Sequence, residues 1–389
     1  MKVGMKTAAI PSSLRKINRQ LILRHMVQVP QAARGELATV AGTSCVTAGK
    51  IVDELLEQGV LEPAELKRAS RPGRPGQTLR LTTHAPRLVL VQLGVRHTRM
   101  AYAALGTSVD TPWAIEIETP GSAKEWESAV QEAWEQLIPR RGGDVWGVLL
   151  CVPGIVDEAS GKVLFSPNVH WSEGVDFRAM LRGLTNVPVE LVQEIRSLAL
   201  GQLAASSTQK DFLLVDFGHG VGGAAVIGGN LFTGSLPLGC ELGHTPVLDN
   251  ARACGCGSVG CMETLLSRRG LFTSVQETAG KAMAGMKYSW NLVEEYIQKH
   301  ELEPWLRRSL QAGAASIAEA MNVLGVGRVV ITGTFSTLPE PVREYLAAEI
   351  RKGAMWGKFG EVSIEYEERR RMRGVICVGI ERLIVRFVR

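Results

Sequence analysis

The sequence predicts a small helix-turn-helix head with a β-wing, joined to a two-lobed α/β body. Three observations carry this. Residues 1–85 hold 13 Lys and Arg against 6 Asp and Glu, a net +7, while residues 86–389 hold 31 against 33, a net −2. Apolar residues of the head recur at helical spacing around a glycine turn. The body alternates strand-length apolar runs with amphipathic helical runs, and two similar strand-glycine-strand openings lie near residues 94 and 218.

In the head, Leu14, Ile17, Leu21, Ile22 and Met26 fall at helical spacing, and RGELATV (34–40) fits a second short helix. Gly42 supplies the unhindered backbone of a tight turn. Ser44 is placed to cap a third helix over 44–59, with Ala48, Val52 and Leu55 on one face and Gly59 just past its end. Val46, Gly49, Lys50 and Asp53 then face outward. SRPGRPGQTLRLT (70–82) reads as a two-stranded wing with a slim Arg/Pro/Gly tip. A basic head of this grammar is expected to meet duplex DNA, with Ser44, Thr47 and Lys50 on the recognition helix and Arg71 and Arg74 reaching a minor groove.

From residue 87, RLVLVQLGVRHTRMAYAAL predicts a strand pair turning at Leu93-Gly94, and SAKEWESAVQEAWEQLIP an amphipathic helix. VWGVLLCVPGIVD is a buried strand entering a Pro-Gly turn, too short and interrupted to cross a membrane. FLLVDFGHGVGGAAVIGGNLFTG repeats the hairpin pattern, and VGRVVITGTFSTLPE is a strand, a glycine turn and a helix start. DFGHGVGG suits either a phosphate cradle of bare N–H groups or a tight structural hairpin. The N-terminus lacks an apolar signal-peptide core, and seven Cys do not make a secreted disulfide framework, so the chain is expected in the cytoplasm.

The chemistry concentrates in ELGHTPVLDNARACGCGSVGCME, 241–263. His244, Cys254, Cys256 and Cys261 form a closed Cys₃His set, which predicts a structural Zn²⁺ with no open position for water. Gly255, Gly257 and Gly260 let the backbone wrap a small ion. Glu241 and Glu263 flank the knot, where rigid carboxylates can accept hydrogen bonds from vicinal hydroxyls.

E-x-G-H followed by C-x-C-G-x-x-G-C-x-E resembles the signature of the ROK family, whose members are sugar kinases and sugar-responsive repressors. The resemblance extends to Pro153-Gly154, to Asn168 in SPNVHWSEGVDF, to the Gly-rich loop at 218–223 and to ITGTF. It implies a winged head over 1–85 and a two-lobed actin/hexokinase-like (ribonuclease H-like) body over 86–389. Lobe 1 would run about 86–195 and lobe 2 about 196–371, with a C-terminal helix at 372–387 crossing back to lobe 1. Two positions depart from the kinase pattern. Gln92 stands where a kinase places Asp in its first phosphate hairpin, and Gln193-Glu194 stand where it places Asn-Asp, the Asp being the base. A neutral amide cannot do a carboxylate's electrostatic work, and a longer arm misaligns a base. The resemblance therefore implies a homodimeric or tetrameric repressor rather than an enzyme. A sugar or sugar derivative would contact Asn168, Gln193, Glu194, Glu241, His244 and Glu263, with His244 also on zinc. The rival expectations are a sugar kinase with a DNA-binding head and a regulator controlled by a protein partner.

Overall fold

The computed structural model describes residues 11–64, 78–84, 87–107, 113–138, 145–206, 211–233, 239–280, 285–300 and 302–384. The chain divides into two compact units, one of residues 1–151, 177–192 and 372–389, the other of 152–176 and 193–371.

In the first unit, α1 (Pro11–Gln28) leads through β1 (Ala32–Ala33) to α2 (Arg34–Val40) and α3 (Cys45–Glu57). The Ser44 hydroxyl accepts the Thr47 N–H at 3.2 Å and caps α3. Gly42 and Gly59 take positive φ at the two turns. Ala48, Ile51, Val52 and Leu55 of α3 are buried, so the expected apolar face is present. In α1 only the second half is inside: Ile22, Leu23, Met26 and Val27 are buried, whereas Leu14, Ile17 and Leu21 stay 36–48% exposed. Asp53, expected to face outward, is exposed and forms an ion pair with Arg34 at 2.7 Å.

β2 (Leu61–Pro63) and β3 (Thr78–Leu81) pair antiparallel, and β1 joins the far edge of β3. Glu62 ties the base of this small sheet by accepting from Arg80, Thr82 and Thr83. Arg71 and Arg74 lie outside the described residues.

β4 (Arg87–Leu93), β5 (His97–Ala104) and β6 (Ile115–Glu118) form an antiparallel meander. After α4 (Ala123–Leu137), β7 (Val145–Val152) pairs parallel to β4. The hairpin β8 (Ile155–Asp157) and β9 (Lys162–Phe165) belongs to the second unit. α5 (Phe177–Arg182) and β10 (Val189–Gln193) complete a five-stranded sheet of order β10-β7-β4-β5-β6. Trp126 of α4 is fully buried against Phe177 and donates its indole N–H to Thr98 at 2.8 Å.

In the second unit, α6 (Glu194–Ala205) precedes the hairpin β11 (Phe212–Phe217) and β12 (Val221–Ile227), with β13 (Asn230–Leu231) at the edge. α7 (Glu263–Leu266), α8 (Arg268–Ala279), α9 (Trp290–His300) and α10 (Pro304–Leu324) follow, then β14 (Arg328–Gly333), α11 (Glu340–Gly353) and β15 (Ser363–Tyr366). The sheet runs β13-β12-β11-β14-β15, with β14 parallel to both β11 and β15. Alternation along β11 assigns its two faces. Phe212 and Leu214 pack with Leu198 and Leu203 of α6, while Leu213, Val215 and Phe217 join the larger core with α8, α10 and α11.

The last helix, α12 (Arg371–Gly379), is followed by a wider turn over Ile380–Ile384. From Met372 onward it lies in the first unit. Gly379 lets it approach the sheet, since a Cβ there would meet Leu149 at 2.6 Å and Leu88 at 2.8 Å. Among the described residues no helix is long and apolar enough to cross a membrane.

Candidate metal knot and ligand site

The knot at 241–263 is built by close backbone approaches. His244 ends a short 3₁₀ turn, Leu242–His244, whose Gly243 lies so close to β12 that a Cβ would meet the Val221 carbonyl at 2.0 Å. Ala253 and Val259 form a bridge, and Pro246 and Cys261 another. Gly257 and Gly260 sit at φ +89° and +84°, and a Cβ on Gly260 would meet the Asn250 carbonyl at 2.7 Å. Arg252 ties the loop to α7 and α8 by donating to the carbonyls of Thr264 and Gly270 and to Ser274 and Glu277.

This wrap brings the ligand atoms of His244, Cys254, Cys256 and Cys261 within 4.8 Å of one another. Cys256 Sγ lies 3.7 Å from Cys261 Sγ, and Cys254 Sγ lies 3.6 Å from His244 Nδ1. A tetrahedral ion with metal–sulfur bonds of about 2.3 Å spaces its ligand atoms at about 3.8 Å. The sulfurs are too far apart for a disulfide, whose bond is about 2.05 Å. The donor set fits one four-coordinate metal ion.

Beside the knot, Glu263 opens α7, and its Oε2 accepts the Val221 N–H at 2.9 Å. Burial pushes this carboxyl up, opposed by the Val221 N–H and by His244. Burial also raises Glu241, and the nearby Glu263 adds to the rise while His244 opposes it. Glu241 follows Cys240, a non-glycine residue at φ +54°; such strain persists only where its surroundings hold it. Gly220 is the floor shared by two expected ligand groups. A Cβ there would lie 2.4 Å from Glu263 Oε2 and 3.5 Å from Asn168 Nδ2. Asn168, Glu241, His244 and Glu263 are thus brought together.

Gln193 and Glu194 have their own partners. Gln193 donates its side-chain amide to the Gly154 carbonyl at 2.9 Å and its backbone N–H to Glu158 at 3.1 Å. Glu194 is ion-paired with Arg371. The next residue, Ile195, packs on Gly222, one strand position beyond Val221. Gln92 is buried at the end of β4 in the first unit, its amide nitrogen 3.9 Å from the Cβ position of Gly94.

The Gly-rich loop after β11 closes an antiparallel hairpin with β12. Gly218 donates to the Gly220 carbonyl at 2.8 Å, and the Val221 N–H is taken by Glu263. A guanidinium fills the space beside it. Arg369 binds Asp216 through Nε at 2.7 Å and Nη2 at 2.9 Å and also reaches the Phe217 carbonyl. A Cβ on Gly218 would meet Arg369 Nη2 at 2.5 Å, and one on Gly333 would meet it at 2.6 Å. These two glycines make room for an arginine. Burial disfavours the Asp216 carboxylate, but the charge and hydrogen bonds of Arg369, with the Thr332 hydroxyl, outweigh it and hold Asp216 below its ordinary value. Arg369 and Arg371 carry no local sequence signal, because ERRRMR reads as a solvated charge run.

On α3, Ser44, Thr47 and Lys50 are exposed. Ser44 and Thr47 are hydroxyl partners at 3.0 Å and also build the cap.

The profile of the ROK family matches residues 91–376. The chain is 27% identical over 331 residues to the putative xylose repressor of Caldicellulosiruptor sp. strain Rt8B.4, covering 83% of this chain and 82% of that protein. Its fold is similar to that of a ROK family transcriptional regulator described as a homolog of E. coli MLC protein. That match has a TM-score of 0.77 and 18% identity, covering 96% of this chain and 98% of that one. A ROK hexokinase from Thermus thermophilus matches with a TM-score of 0.61 and 20% identity, covering 76% of this chain and 97% of that one.

Proposed function

The chain belongs to the ROK family, and on that premise we propose that it is a sugar-responsive, DNA-binding transcriptional repressor without kinase activity. Residues 1–85 serve as a winged helix-turn-helix head and 86–389 as the family's two-lobed body. Ser44, Thr47, Lys50, Arg71 and Arg74 face duplex DNA, and two heads of a homodimer match the half-sites of a symmetric operator. Zn²⁺ is held by Nδ1 of His244 and the thiolates of Cys254, Cys256 and Cys261, and it supplies rigidity rather than an activated water. Asn168, Glu241, Glu263 and the remaining ring nitrogen of His244 accept and donate to the hydroxyls of a sugar or sugar derivative, with Gln193 and Glu194 at its far side.

One observation carries this reading. Asn168 and Glu263 meet beside Gly220, with Glu241 and His244 near Glu263, a cluster of polar groups suited to the hydroxyls of a polyol. Differential scanning over a panel of aldoses and their derivatives, D-xylose included, tests it. A sugar at about 100 times its Kd stabilises by about 2.7 kcal/mol. One sugar is expected to raise the melting temperature by several degrees, and Glu263→Gln to abolish that shift. Transfer of phosphate from ATP to any sugar of the panel would contradict the reading. For the head, Arg74→Ala is expected to weaken binding to duplex DNA and to lower the slope of log K against log salt by about one. Binding indifferent to this change, read by fluorescence anisotropy, removes the wing from the interface.

A further inference from the structure

The donors of the knot reach their places by two different means. The His244 and Cys261 arms are bonded directly to each other. The Met262 N–H donates to the Thr245 carbonyl at 2.9 Å, the Val247 N–H to the Gly260 carbonyl at 2.8 Å, and Pro246 bridges Cys261. The arm that carries Cys254 and Cys256 closes on itself, with the Cys254 N–H on the Ser258 carbonyl at 2.8 Å and the Gly257 N–H on the Cys254 carbonyl at 3.0 Å. Arg252, two residues before Cys254, ties this arm to the rest of the second unit.

The backbone of Arg252 is held on both sides. Its N–H donates to Asn250 Oδ1 at 3.2 Å, and its carbonyl accepts the Gly260 N–H at 2.9 Å. Its guanidinium forks over α7 and α8. Nη1 donates to the carbonyls of Thr264 at 2.8 Å and Gly270 at 3.2 Å, and Nη2 to the Ser274 hydroxyl at 2.9 Å and the Glu277 carboxylate at 2.6 Å. The anchor is stiff, since Leu271 and Val275 of α8 are fully buried in the main core. Three of the four acceptors are neutral, so a planar fork of donors satisfies them where a point charge cannot. The one acid, Glu277, has a side chain 61% exposed, and an ion pair so placed contributes little.

We propose that Arg252 is a positioning residue of the metal knot: its fork presets the Cys254 arm, so that the Cys254 sulfur faces His244 and Cys261 before the ion arrives. The inference rests on the reading that the knot holds Zn²⁺. An arm placed in advance spares the ion the cost of ordering it. The loop has little else to hold it, with Leu248 92% and Val259 61% exposed. Cys254 Sγ is the sulfur 3.6 Å from His244 Nδ1, so an arm that drifts opens the tetrahedron between these two donors. Arg252 itself touches no metal ligand through its side chain and acts through the backbone that leads to Cys254. Groups that orient metal ligands in this way are worth about 10–100-fold in metal affinity.

The test is the Zn²⁺ affinity of the full chain, measured by competition with a chromophoric chelator in the wild type, in Arg252→Met and in Glu277→Gln. Arg252→Met is expected to weaken binding about 10–100-fold, and Glu277→Gln to stay within about threefold of the wild type. Arg252→Lys keeps the charge and gives up the fork, so the same loss is expected of it, and it serves if Arg252→Met does not fold. Melting temperatures with and without Zn²⁺ separate positioning from a plain structural tie. A tie lowers both alike and leaves the rise given by Zn²⁺ unchanged, whereas lost positioning shrinks that rise. Wild-type affinity in the Arg252 variants overturns the proposal, as does an unchanged rise. A tenfold loss in Glu277→Gln would place the effect in the ion pair and overturn it as well. A wild-type chain that takes up no Zn²⁺ is a different failure, that of the knot itself, and the zinc content of the wild type alone reveals it.

Discussion

Cys256→Ser is expected to release the metal and to lower the melting temperature by roughly 10 °C. Four donors at tetrahedral spacing close the site, so three cannot hold the same ion with the same grip. The loop between His244 and Cys261 keeps Gly257 and Gly260 in left-handed conformations and has few apolar contacts of its own, with Val259 61% exposed and Leu248 92% exposed. On the proposed assignment its order would come from the ion together with the bonds of Arg252 and Asn250. Loss of a structural metal belongs to the largest class of single-site effects, on the order of 4 kcal/mol. At about 2–4 °C per kcal/mol for a unit of this size, that gives the stated fall. Elemental analysis should find about one zinc per wild-type chain and none in the variant. The core around Phe217, Phe335 and Ile331 is built mainly by β11, β14 and the helices, with Leu242 and Met262 as the knot segment's buried contribution, so the variant should keep most of its helices by circular dichroism while losing the sugar-dependent rise in melting temperature. A wild-type chain that is metal-free and stable would overturn the assignment of the knot.

Asp216→Asn is expected to cost on the order of 3 kcal/mol, since it strands the Arg369 guanidinium without its counter-charge. The substitution keeps the shape at the end of β11, so the loss reports charge and not a cavity. Arg369→Met alone leaves the buried carboxylate of Asp216 without its ion-pair partner, held by the Thr332 hydroxyl and the charge of Arg371. The double variant removes both charges and should cost clearly less than the two single changes summed. Additive losses in thermal denaturation would show that the pair is not the unit described here. The pH dependence follows from the direction of the shift. Asp216 lies below its ordinary value of 3.8 in the folded chain, so its contribution is complete above that value and disappears only as pH falls through the lower one. The penalty of Asp216→Asn should therefore be the same at pH 6 and pH 8.

Much of the site was legible because its signal is local. Three Cys separated by glycines, with a His ten residues ahead of them, stand out as a donor set, and their ligand atoms do come together; Glu241 and Glu263 were marked by flanking it. Both hairpins were legible from strand-length apolar runs broken by glycine, and both appear, as β4 with β5 and β11 with β12. The arginine run was not legible. Its partners lie 153 and 177 residues away for Arg369 and Arg371, and 346 away for Arg373, and periodicity carries no information at such separations. The closeness of Arg369 to Gly218 and Gly333 was hidden for the same reason, since glycines in a loop do not say which distant side chain they make room for. Helical spacing placed α1 correctly but could not say that Leu14, Ile17 and Leu21 end half-exposed, because spacing defines a face and not what covers it.

A sugar held beside the knot is expected to change how the head binds DNA. The most direct measurement of this is the affinity of the full chain for a duplex selected by the protein from a randomised pool, with and without the sugar that raises its melting temperature, in the absence of ATP. The account predicts that the sugar weakens binding by about tenfold or more, within the ordinary range of coupling between two sites. An affinity that the sugar leaves unchanged, with ATP consumed to make a sugar phosphate, would contradict it.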